Sequence, residues 1–85
     1  MATPIKVTIT YCAECGYDPQ AITLAHDLMR EFETQLSSIE IIPWFDGAFD
    51  VRVGDKMVHS AHRDGGFPSS QDIAAAIKQQ IADQA

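Results

Sequence analysis

Apolar and polar residues alternate near the start of the chain, with Ile5, Val7, Ile9 and Tyr11 set against Lys6, Thr8 and Thr10. A period of two predicts a strand with one buried face. The period then lengthens. Ile22, Ala25, Leu28, Met29, Phe32 and Leu36 recur at helical spacing and predict a helix from Pro19 to Leu36 with one apolar stripe. Asp18 is its expected N-cap, and Pro19 suits the first turn, where a missing N–H is not needed. Ser37 and Ser38 are expected to end it. Ile39 to Ile42 reads as a short second strand stopped by Pro43.

Phe49, Val51 and Val53 alternate with Asp50 and Arg52, which predicts a third strand. Gly54-Asp55 fits a two-residue hairpin turn, and Lys56 to Ser60 returns as the fourth strand. The segment AHRDGGFPSS reads as a loop. Ser69, with Asp72 three residues on, resembles a capping box in front of a last helix carrying Ile73, Ala76, Ile77 and Ile81.

The order is therefore β-α-β-β-β-α. A strand-helix-strand start implies a right-handed crossover between two parallel strands, so the four-stranded sheet is mixed. Two helices cannot cover both faces of such a sheet. Lys6, Thr8, Thr10, Asp50 and Arg52 would share one polar face, which predicts an α/β two-layer sandwich with both helices on the other face.

Eighty-five residues make one domain, 1–85, with 46% apolar and 21% charged residues. Twelve acidic against six basic residues give a net charge of −6. That balance argues against nucleic acid and against an anionic membrane surface. The start, MATPIKVTIT, does not read as a signal peptide, and no apolar run has the length of a membrane span. A cytoplasmic protein is expected, in a compartment where lasting structural disulfides are rare.

That expectation bears on Cys12 and Cys15, the two cysteines of the chain, spaced Cys-x-x-Cys between the first strand and the first helix. In a reducing compartment such a pair is more often redox-active or metal-binding than a staple. A redox pair is the leading reading. A zinc site built from Cys12 and Cys15 with His59-x-x-His62 is the sharper rival, and inert thiols or a plain disulfide complete the alternatives. Thiolates rather than thiols attack disulfides, and a helix N-terminus stabilises a thiolate. Cys15 lies nearer to that terminus than Cys12 and is expected to be the more reactive sulfur. The acidic neighbours Glu14 and Asp18 oppose its ionisation.

The segments YCAECGYDPQA, GAFDVRVGDKMVHS and GGFP together resemble the Rdx family, the group of small thioredoxin-like proteins that includes selenoproteins W, T and H. The resemblance runs from Val7 to about Ile81. It implies a thioredoxin-like fold and thiol-based redox activity, often linked to glutathione. Cys15 falls at the selenocysteine position of the selenoprotein members, and Cys12 at the partner cysteine. The proline that thioredoxins place immediately before the third strand is absent; Pro43 lies six positions ahead of Phe49.

If the strands follow the thioredoxin order, the Pro43–Ala48 link crosses the edge carrying the cysteines and brings Trp44 and Phe45 near them. Ser60–Arg63 and the Gly65-Gly66-Phe67-Pro68 loop would reach the same edge. The sequence and the resemblance together imply a thiol oxidoreductase in which Cys15 attacks and Cys12 resolves, with glutathione or a protein thiol or disulfide as partner. It needs no metal or bound cofactor. The alternative is a non-enzymatic module whose cysteines report redox state and whose exposed edge docks another protein.

Overall fold

A computed structural model describes residues 4–84 of the chain. The outermost residues of the 1–85 domain, including the first three of the segment weighed as a signal peptide, lie outside that range. Strand β1 (Ile5–Cys12) leads into helix α1 (Asp18–Phe32), and a single 3-10 turn (Glu33–Gln35) joins it to β2 (Leu36–Trp44). Strands β3 (Phe49–Val53) and β4 (Lys56–Ser60) follow, then a one-turn helix α2 (Ala61–Asp64) and helix α3 (Ser70–Gln84). The sheet order is β2-β1-β3-β4. β1 and β2 are parallel, and the other two pairings are antiparallel.

The two faces separate as the alternation predicts. Ile5, Val7 and Ile9 of β1 pack with Phe49, Val51 and Val53 of β3 beneath Leu24, Leu28 and Phe32 of α1 and Ile73 and Ile77 of α3. Burying one such side chain contributes about 1.5–3 kcal/mol. Thr8 pairs with Arg52 and Thr10 with Asp50 on the opposite face, which contributes nothing to this cluster. The two long helices are also joined by the Lys78–Glu31 ion pair at 3.0 Å.

Four local details depart from the sequence reading. α1 ends at Phe32 rather than Leu36, because Glu33 turns to φ 48° and breaks the helical run. Ser37 and Ser38 therefore lie within β2, and a register shift between Ile5 and Lys6 absorbs the extra residue. Pro43 does not stop β2, which continues to Trp44. An edge strand tolerates proline where the missing N–H faces outward. Asp18 is not the N-cap of α1. Tyr17 holds that position, and Asp18 sits in the first turn, where its charge favours the helix dipole.

The segment expected to be wholly loop contains α2. The Asp64 carboxylate accepts the Ser60 N–H at 3.1 Å and binds Arg63 through two contacts at 2.8 Å, closing a single turn. The start of α3 matches its capping signal in part, since the Asp72 N–H donates to Ser69 Oγ at 3.1 Å.

Candidate functional site

Cys12 ends β1, and Cys15 lies in the turn before α1, with Cα atoms 5.3 Å apart and the two sulfurs joined in a disulfide. Backbone contacts hold this turn. The Cys12 N–H donates to the Ala48 carbonyl at 2.7 Å, and the Ala13 N–H to the Trp44 carbonyl at 2.9 Å. The Gly16 N–H closes the turn on Ala13 O at 3.1 Å, and Gly16 itself takes φ 75°, a conformation that favours glycine. Glu14 reaches across to accept the Asp46 N–H at 3.4 Å.

The two sulfurs have different surroundings. Cys12 is fully buried, at 0% exposure, whereas Cys15 is exposed. Strand parity explains where Cys12 lies. It follows Lys6, Thr8 and Thr10 on the open face, outside the main apolar cluster, with Trp44 as its β2 partner and Ala48 on the β3 side. Cys15 has left the strand and stands two residues before Tyr17, the N-cap of α1. An incoming thiol therefore meets Cys15 first.

Trp44 and Phe45 stand at this edge as the strand order predicts. They are 51% and 56% exposed, and their rings stack at 4.7 Å with an interplanar angle of 15°. The glycine-rich loop also arrives here. The Phe67 ring meets Tyr17 edge-on at 4.9 Å and Phe49 at 5.0 Å, so an aromatic row ties this loop to the residues flanking the cysteines. Phe67 and Phe49 also line a cleft of about 270 Å³ beside Pro19, Gln20 and Leu24 of α1.

The zinc arrangement does not assemble. His59 is buried, with its Nε2 donating to the Gly66 carbonyl at 3.0 Å and its Nδ1 3.8 Å from Asp64. The His62 ring lies beside Gly47. Among the described residues no three His, Cys, Asp or Glu side chains converge as metal ligands. His59 instead fastens the glycine-rich loop. Arg63, at the end of the segment expected to reach this edge, is paired with Asp64. The hydrogen bonds from Arg63 and from the Ser60 N–H hold the Asp64 carboxyl down to about 2.

Sequence reading missed Asp50 as more than one residue of a polar face. Its Oδ1 is buried and receives no hydrogen bond, the one such side-chain atom among the described residues. The available signal was its parity with Thr10, two residues before Cys12.

The family model described as the Rdx family matches residues 6–79. The chain belongs to the Rdx family. This Rdx chain is similar to Selenoprotein W of Gallus gallus, at 33% identity over 84 residues, covering 88% of this chain and 94% of that protein. Selenoprotein W of Danio rerio is 38% identical over 80 residues, covering 88% and 93%. A selenoprotein W-related protein from Vibrio cholerae superposes with a TM-score of 0.89 over 93% of this chain and 99% of its own; at 19% identity that likeness concerns the fold alone. The Rdx and selenoprotein W group is generally redox-related, and the Cys12–Cys15 disulfide accords with it. No helix among the described residues is long and apolar enough to cross a membrane.

Proposed function

We propose that this Rdx protein is a thiol–disulfide oxidoreductase with glutathione as its thiol partner, working in the cytoplasm. The observation that carries this reading is the exposure of Cys15 above a buried Cys12. In the oxidising direction for the protein, the Cys15 thiolate attacks one sulfur of a substrate disulfide. That S–S bond breaks, one substrate thiolate leaves, and a mixed disulfide forms on Cys15. The Cys12 thiolate then attacks Cys15 Sγ, the protein disulfide closes, and the second substrate thiol departs; two electrons have passed to the substrate. Two glutathione thiols reverse the sequence. The first attacks exposed Cys15, and the second releases oxidised glutathione from it.

No bound organic cofactor or metal is needed for these steps. The test is trapping. Cys12→Ser protein incubated with oxidised glutathione should gain one glutathione mass on Cys15, removed by dithiothreitol, whereas Cys15→Ser protein should gain almost none. Equal labelling of both variants would refute the division of roles.

The exposed Trp44–Phe45 stack favours a second reading, in which the pair reports redox state and this edge docks a protein. Aromatic side chains are frequent interface anchors. A Cys12→Ser/Cys15→Ser protein that still bound the physiological partner would favour it.

A further inference from the structure

β2 is an edge strand, and its outer side has no strand beside it among the described residues. Open edges accept a further strand, and proteins commonly block them with charge, proline or a bulge. In β2 the blocks stand at the two ends. The pairing with β1 skips Ser37 near the start, and Pro43 lies near the finish. Between them, Ser38 to Ile42 carries one charge, Glu40, which lies on the open face and is already paired with Lys6 at 3.2 Å.

The helix side of the same edge is apolar and uncovered. Ile39 and Ile41 pair with Val7 and Ile9, so they share the face that packs the core. Val7 and Ile9 are fully buried, whereas Ile41 at the rim is 39% exposed. Met29 of α1 is more than half exposed and lines a cleft of about 280 Å³ with Glu33, Leu36, Ser38 and Ile39. Ile22, about two turns earlier on the same side of α1, is exposed as well. An apolar strip on helix and strand therefore runs beside an open row of backbone donors and acceptors.

Strip and row fit a second copy of the chain in one register. The Ala13 N–H bond to Trp44 shows that Trp44 faces β1, so by alternation Ile39 and Ile41 turn their N–H and C=O groups outward. Two β2 edges related by a two-fold axis pair antiparallel, with one residue opposite itself. Centring on Glu40 sets two like charges directly opposite each other, which is destabilising. Centring on Ile41 sets Ile39 against Pro43, which has no N–H to give. Centres nearer either end of Leu36–Trp44 shorten the paired segment. Centring on Ile39 meets none of these objections. Ile39 then exchanges two backbone bonds with Ile39 of the second copy, Ile41 lies opposite Ser37, and Glu40 lies opposite Ser38, a neutral residue.

We propose that β2 joins two copies of this chain edge to edge into one eight-stranded sheet, in the register centred on Ile39. Because the joined strands are antiparallel, the two cysteine pairs stand at opposite ends of that sheet. Trp44 and Phe45 lie beyond the paired segment Leu36–Ile42, so the assembly neither requires nor blocks thiol chemistry at Cys15. Each chain carries a charge of −6, and Glu33 stands in the cleft beside Met29, so repulsion keeps the contact weak at low salt.

Sedimentation velocity of the reduced protein is the test, with dithiothreitol present so that no intermolecular disulfide contributes. Between about 10 and 500 µM, the range of small, weak interfaces, the average mass should climb from one chain towards two. Salt at about 0.5 M should strengthen the association by screening the repulsion. Ile41→Lys should weaken it at least about tenfold, and Trp44→Ser, outside the paired segment, should leave it within about twofold. Ser38 reports the register. Ser38→Lys sets a lysine opposite each Glu40 and should tighten the dimer about three- to tenfold, whereas Ser38→Glu should loosen it by a similar factor. Circular dichroism checks the fold of each variant, and Met29→Lys, on the exposed side of α1, replaces Ile41→Lys if that protein unfolds. A single-chain mass at every concentration overturns the proposal and leaves the edge to an extended segment of another protein. A dimer indifferent to Ile41→Lys, or to the sign of the charge at position 38, overturns it equally.

Discussion

Alkylation of the two cysteines should differ far more than helix-terminus electrostatics alone would make it. In Cys12→Ser protein the remaining thiol, Cys15, is exposed and reacts directly with iodoacetamide. In Cys15→Ser protein the remaining thiol is Cys12, at 0% exposure, and the reagent must wait for a local opening. That opening breaks the Cys12 N–H bond to Ala48 and the Ala13 N–H bond to Trp44. At about 1 kcal/mol for each bond, with a further ~1 kcal/mol for uncovering the side chain, the opening costs roughly 2–3 kcal/mol. Each 1.4 kcal/mol is a factor of ten, so Cys12 should alkylate about 30- to 150-fold more slowly than Cys15. The assay is mass spectrometry of timed, acid-quenched samples at pH 7, with a small thiol as the reference for intrinsic reactivity. Mild urea should raise the Cys12 rate and leave the Cys15 rate nearly unchanged. Rates within threefold of each other, or a faster Cys12, would refute the reasoning.

Three further outcomes follow from the same geometry. Trp44 is the β2 partner of Cys12, so its fluorescence should change between the dithiol and disulfide states; superimposable spectra and equal quenching would place it elsewhere. Phe67→Ala should lower stability in urea by about 2–3 kcal/mol, because half of a large ring and two edge-on aromatic contacts are lost; a change under about 0.5 kcal/mol would contradict the aromatic row. The folded Asp64 carboxyl is lowered from 3.8 to about 2, so its contribution is complete above 3.8 and disappears as pH falls to about 2. The melting-temperature gap between the protein and Asp64→Asn should close over that window, and a gap unchanged at its acid end would exclude the Asp64 contacts.

The strands were legible because one face of the sheet is buried and the other is open, so alternation in β1 and β3 carries the whole signal. β2 is harder to read. As an edge strand it buries little, and neither its start at Leu36 nor its passage through Pro43 follows from hydrophobicity. The end of α1 carries no glycine or proline to mark it; Glu33 takes a positive φ without a sequence signal. α2 is invisible to periodicity because one turn has no period, and its existence depends on Asp64 reaching back to Ser60. At the site, the Cys-x-x-Cys spacing and the approach of Trp44 and Phe45 were readable. The reason for the inequality of the cysteines was not. Helix proximity suggested a modest difference, whereas the structure buries Cys12 and exposes Cys15, and the backbone that pairs with Cys12, at Trp44 and Ala48, is distant in sequence.

Pro43 has a consequence for how the redox end meets other chains. The Trp44 carbonyl faces β1, where it accepts from Ala13, so by alternation the backbone of Pro43 faces outward from the sheet. The missing N–H is therefore absent from the outer rim of β2, one residue from the partner of Cys12. An extended polypeptide adding itself as a fifth strand would find a gap in the donor row there. Backbone pairing is thus interrupted on the outer rim of β2 beside the cysteines, and contacts there fall to side chains such as the exposed Trp44 and Phe45.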